Sequence, residues 1–169
     1  ALVTISDSTF TENSAGAEAE KGAGGAIHCY AYGASLIVMN STFIGNSAGK
    51  GAVKSYGGAI FNEDSASFIV TNSTFTGNSV DAEAEESAGG AICSQYSKAT
   101  LVNSIVTGNS DQNIHDIYYY QGSVYSYYSI IGDESLDLAQ NVGTQLGVAP
   151  GYVFEYDEEG EIVLENGVP

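Results

Sequence analysis

Arginine and tryptophan are absent from the sequence, and only four lysines (Lys21, Lys50, Lys54 and Lys98) stand against 21 acidic residues. The resulting net charge of −17 excludes the ordinary means of holding nucleic acid or an anionic membrane, because phosphate is bound by Lys and Arg. Polyanionic substrates such as pectate are disfavoured for the same reason, and cations are the partners this field attracts. No run approaches the roughly 20 apolar residues of a membrane span, so no direct membrane insertion is expected. The two cysteines, Cys29 and Cys93, fit no metal spacing such as CxxC and do not fix a redox compartment. The sequence shows neither a signal segment nor an initiating Met, so it is expected to be a piece of a longer chain.

What the sequence does have is a repeat. Its 169 residues, 43% of them hydrophobic, suit one domain with a sizeable core. Gly24-Gly25-Ala26-Ile27 recurs as Gly57-Gly58-Ala59-Ile60 and as Gly89-Gly90-Ala91-Ile92, at steps of 33 and 32 residues. A second motif recurs between them as SDSTFTENS, MNSTFIGNS, TNSTFTGNS and VNSIVTGNS. It places Phe10, Phe43, Phe75 and Val106 in one column and Asn13, Asn46, Asn78 and Asn109 in another. From each of the first three asparagines to the next glycine pair is 11 residues, whereas the following segment shrinks from 16 to 15 to 14. Length drift is tolerated in exposed turns, so the variable turn lies just after each GGAI strand. A fixed period of this size marks units that bury their faces only against their neighbours.

Strand periodicity fits. Leu36/Val38 and Phe68/Val70 point to one side, matched by Val3/Ile5 and Leu101, and no segment has a capped helical period. Short β units with Gly and Asn at fixed offsets predict an all-β parallel solenoid, with Ile27, Ile60 and Ile92 in one internal column. The glycine pair serves a tight bend at a close approach. The recurring Asn side chains can bond coil to coil as a structural ladder. GGA[I/L/V] alternating with FxxN resembles the chlamydial polymorphic outer-membrane protein repeat, and is similar to the right-handed β-helix repeats of adhesin-like surface proteins. The likeness covers roughly residues 1–132. The fourth unit departs from it, with Val106 in place of Phe and no glycine pair after Asn109. The resemblance implies a right-handed, single-stranded parallel β-helix, secreted or displayed at the cell surface and used in adhesion.

The expected organisation is about four coils over 1–132 and a capping or linking segment over 133–169, where GYVFEYDEEGEIVLENG reads as a β-hairpin. No enzyme, cofactor or metal is expected. His28 and His115 read as surface or coil-packing residues, and adjacent carboxylates such as Glu158/Glu159 read as chance among so many acids. Were calcium bound, Glu18 and Glu83 on nearby coils would be the first ligands to consider. The NST sequences at Asn40 and Asn72 read as turns. Cys29 and Cys93 lie about two coil steps apart, roughly 9.6 Å, which is too far for a disulfide.

Of the 12 tyrosines, six fall in IYYYQGSVYSYY (117–128) and Tyr30, Tyr32 and Tyr96 fall in the variable turn. Aromatic faces on a rigid scaffold suit sugars or proteins, and these three are the predicted binding residues. The expected function is a non-catalytic, adhesin-like module that binds a glycan or protein on a host or neighbouring cell through a lateral face. The alternative is a passive stalk or accessory domain of a larger extracellular, carbohydrate-active protein.

Overall fold

Each strand of a coil pairs in parallel with its equivalent in the next coil. The computed structural model describes residues 1–30, 32–64, 67–111, 115–133 and 136–147, and the backbone of strands 154–156 and 162–164. Among the described residues there is no helix. The first coil runs through Leu2–Ser6, Thr9–Thr11, Ser14–Ala15, Lys21–Ala23 and Ile27–Tyr30. The second runs through Ser35–Met39, Thr42–Ile44, Ser47–Ala48, Lys54–Tyr56 and Ile60–Glu63. The third runs through Ser67–Thr71, Thr74–Thr76, Ser79–Val80, Glu86–Ala88 and Ile92–Gln95. Equivalent strands form five parallel sheets, here numbered I to V in the order the chain visits them. The molecule is a parallel β-solenoid.

Register follows from the repeat spacing. Ile60 pairs with Ile27 on one side and Ile92 on the other, and Ile117 extends the column. Leu36 lies between Val3 and Phe68, and Val38 between Ile5 and Val70. Side chains alternate across each strand, so these columns fill the interior while Ile37 and Ile69 face outward. Phe10, Phe43 and Phe75 stack face to face, with centroids 4.7 and 4.5 Å apart and planes within 4°. Val106 and Ile131 continue that column.

The glycine pair does two separate jobs. Gly57 sits at φ 60°, a conformation costly for other residues. A Cβ on Gly58 would run into the Gly90 carbonyl oxygen and the Ser79 backbone, where the corner of one coil lies on the next.

The coils shorten towards the C-terminus. The fourth keeps Lys98–Val102, Ile105–Val106 and Ile117–Tyr120 in sheets I, II and V. In sheet III it contributes a single bridge from Ser110 to Ser79. Among the described residues it adds nothing to sheet IV, which ends at Glu86–Ala88. Sheets I and II do not stop at Gly132: Gln140–Val142 and Gln145–Leu146 pair with Ser123–Tyr127 and Ile130–Ile131. Farther on, Phe154–Tyr156 pairs antiparallel with Ile162–Leu164. Residues 148–153, 157–161 and 165–169 of the expected cap lie outside the described residues.

Candidate functional site

Three side-chain ladders brace the stack. The backbone N–H and Nδ2 of Asn13 both donate to Asn46 Oδ1, at 3.0 and 2.8 Å. Asn46 repeats this onto Asn78, and Asn78 onto Asn109. The Nδ2 groups of Asn46, Asn78 and Asn109 also donate back to the Phe10, Phe43 and Phe75 carbonyls. At the end of the ladder Asp116 replaces asparagine, its Oδ1 accepting from Asn109 N–H and Nδ2 at 2.8 and 2.7 Å. A second ladder joins Ser8, Ser41, Ser73, Ser104, Ser129 and Thr144, each backbone N–H donating to the next hydroxyl. This serine column sits inside the repeated nine-residue motif, where its recurrence alone would have revealed it. A third, exposed ladder joins Asp7, Asn40 and Asn72, all at positive φ. That conformation explains why the NST sequences occupy turns.

The outer surface has a concave feature built from side chains of sheets IV and V. On the first two coils it is filled. Tyr56 stacks beside Phe61 at 5.5 Å, and Lys21 Nζ lies 4.5 Å from the Phe61 ring and 3.2 Å from Glu63 Oε2. His28 also leans on Phe61, and burial lowers its pKa, with the Lys21 charge adding to the effect. On the third coil the same columns carry Ala88 beside Tyr56 and Cys93 beside Phe61. On the fourth, Tyr118 and Tyr120 follow Cys93 and Gln95.

Small side chains between two sets of large ones leave an opening. It is a groove of about 480 Å³, lined by Tyr56, Glu85, Glu86, Gln95, Tyr118 and Tyr120, with Ser87 and Ala88 on its floor. Phe61 and Tyr118 are separated here by about two sheet spacings, roughly 9.6 Å. Burial pushes the Cys93 thiol up to about 12, so it packs as a neutral, apolar group in the cluster with Phe61 and Ala88. Burial also raises Tyr118, and burial with the Glu86 hydrogen bond raises Tyr56 strongly, so both hydroxyls stay protonated. Glu86 accepts from Lys54 Nζ at 2.8 Å and from the Tyr56 hydroxyl, which hold its carboxyl below the usual range. The groove therefore offers aromatic faces, neutral hydroxyls, an amide and carboxylates at one rim.

The predicted tyrosines are exposed but scattered. Tyr30 and Tyr32 lie on the first coil, 67% and 96% exposed. Tyr96 lies on the third at φ 51°, its ring edge-on to Tyr120 at 5.7 Å. In sheet V the second coil places Glu63 between Tyr30 and Gln95, so the three form no common surface. Tyr56, Tyr118 and Tyr120 do meet, and Tyr56 stood outside the predicted tyrosine groups. Neither cysteine forms a disulfide; Cys29 packs on the main core and Cys93 in a separate outer cluster with Phe61 and Ala88.

Glu18 and Glu83 lie on coils one and three. Among the described residues no group of three His, Cys, Asp or Glu is arranged to hold a metal ion. Sodium chloride is therefore expected to raise the melting temperature by screening the net charge of −17. Calcium at matched ionic strength should add nothing. Differential scanning fluorimetry in both salts checks this, and a saturable calcium shift would point to Glu18 and Glu83.

Three stretches, residues 7–30, 40–63 and 72–95, match the Chlamydia polymorphic membrane protein repeat. Each starts at a positive-φ turn residue, Asp7, Asn40 or Asn72, and ends with a strand of sheet V. The match thus takes in strands of sheets II to V and omits sheet I. No curated protein and no solved structure matches the chain.

Proposed function

We propose that this solenoid, with its three polymorphic membrane protein repeats, is a non-catalytic, adhesin-like module at the cell surface or secreted from it. It binds a glycan or protein on a host or neighbouring cell through the groove between sheets IV and V. The repeat match supports the surface setting. The observation that carries the binding role is the interruption of an otherwise filled cleft, where Ala88 and Cys93 stand between Tyr56/Phe61 and Tyr118/Tyr120. A passive stalk gains nothing from that interruption, since continuing the large side chains would bury more apolar area. Aromatic residues flanking a pocket are what binding hot spots are made of.

Tyr118→Ala and Tyr120→Ala are expected to weaken binding of the purified domain to target cells or to arrayed glycans and surface proteins at least about tenfold, or 1.4 kcal/mol. Tyr32→Ala, on the first coil, should leave it unchanged. Equal binding by all three variants would remove the groove from the function and favour the stalk.

A further inference from the structure

We infer that the groove receives an extended polypeptide strand of a partner protein, which adds to sheet IV as its fourth strand and reads cation, small residue, aromatic. This rests on the groove being the binding site and specifies what it holds. In a parallel sheet, successive residues turn their backbone groups alternately to the two neighbouring strands. The Glu86 N–H donates to the Val53 carbonyl and the Ala88 carbonyl accepts from Gly57 N–H at 3.0 Å, so both residues face the second coil. Ser87, between them, turns its N–H and C=O to the opposite side. No strand lies there among the described residues. The next N–H in that direction, from Gly89, is taken by Asp111 Oδ2 at 3.0 Å, a side chain in place of a strand carbonyl. Among the described residues Ser87 is therefore an open rung lining the groove, and its Oγ has no hydrogen-bond partner either. Unpaired edges of this kind are where extended peptides add to sheets.

The occupied side of the same strand shows which side chains fit. Lys54, Ser55 and Tyr56 lie in register with Glu86, Ser87 and Ala88. Lys54 Nζ pairs with Glu86 Oε1, Ser55 is buried, and Tyr56 lies beside Ala88 in the outer cluster. A strand on the open side meets the same columns. Its first residue lies by the exposed carboxylates of Glu85 and Glu86 and is a lysine or arginine. Its second faces the solenoid interior beside Ser87 and is small. Its third lies between Ala88 and Tyr118 and is aromatic. In the parallel orientation Ser87 N–H donates to the carbonyl of the cationic residue, and the aromatic residue's N–H donates to Ser87 C=O. The net charge of −17 favours a basic partner. Residues 54–56 of this chain carry the pattern but are paired on both sides within sheet IV, so a second folded copy cannot supply them.

A fluorescent peptide Gly-Ala-Val-Lys-Ser-Tyr-Gly, copying residues 51–57, tests this by anisotropy against the folded domain. Binding is expected, with a Kd raised at least about tenfold by Lys→Glu, by Tyr→Ala, or by N-methylation of the peptide's tyrosine. Amide hydrogen exchange at Ser87 should slow on binding. The inference is overturned if no binding is seen at about 1 mM peptide, the limit of weak association. It is overturned equally if the N-methylated peptide binds as well as the parent, or if Ser87 exchange is unchanged. Should a glycan bind in a Tyr118-dependent way while the peptide does not, the strand inference falls and the groove stands. Should the peptide bind while Tyr118→Ala leaves cell binding intact, the proposed function falls instead.

Discussion

Asn78→Ala is expected to lower the unfolding free energy by about 3–5 kcal/mol, whereas Asn13→Ala should cost less than about 1 kcal/mol. The two residues occupy the same column and differ in what depends on them. Asn78 is 1% exposed. Its Oδ1 accepts from both the N–H and the Nδ2 of Asn46, and its Nδ2 donates to the Phe43 carbonyl and to Asn109 Oδ1. Alanine would leave the Asn46 N–H buried without a partner, at roughly 1–3 kcal/mol, and would take one hydrogen bond each from Asn46 Nδ2, Asn109 Oδ1 and the Phe43 carbonyl. The void left by the amide adds to that cost. Asn13 is exposed at the end of the stack and only donates to Asn46, whose oxygen can turn to water. Denaturant melts of the two variants decide it. A difference below about 1 kcal/mol would show that the ladder aligns the coils without stabilising them.

Stability is expected to rise as the pH falls from about 7.5 to about 4. Asp116, 3% exposed, has its carboxyl pushed from the ordinary 3.8 up to about 6. Burial is the main cause, with the nearby Asp133 and Asp111 carboxylates adding to it, and the two hydrogen bonds from Asn109 oppose it. A carboxyl that titrates higher in the folded chain than in the unfolded one binds its proton preferentially in the folded state. Stability therefore grows as pH falls through about 6 and levels off below about 3.8, by about 3 kcal/mol in all. Asp116→Asn keeps an oxygen acceptor for Asn109 and removes the buried charge. That variant should be more stable than wild type at about pH 7.5 and lose most of the slope. An unchanged slope in Asp116→Asn would assign the effect to general relief of repulsion among the acids.

The sequence by itself determined the stacking and the register. In a parallel solenoid each residue sits on its equivalent one period away, so subtracting 33 or 32 from a residue number names its neighbour. Ile60 on Ile27, Phe43 on Phe10 and Asn46 on Asn13 follow by arithmetic. The serine ladder obeys the same rule and was legible in principle. Only the tertiary structure decided what depends on departures from the period. Asp116 takes over the asparagine column because the fourth coil cuts its corner, bringing a residue seven positions from Asn109 to where the next repeat's asparagine would stand. The groove arises where side chains of sheets IV and V face one another, so that Tyr56, Ala88, Gln95 and Tyr118, from four separate strands, line one hollow. Tyrosine counting favoured Tyr30, Tyr32 and Tyr96 because turns expose side chains. The groove needs opposing walls, and whether two strands' outward faces turn toward each other is set by the bend of the backbone between the sheets, which a repeat period does not encode.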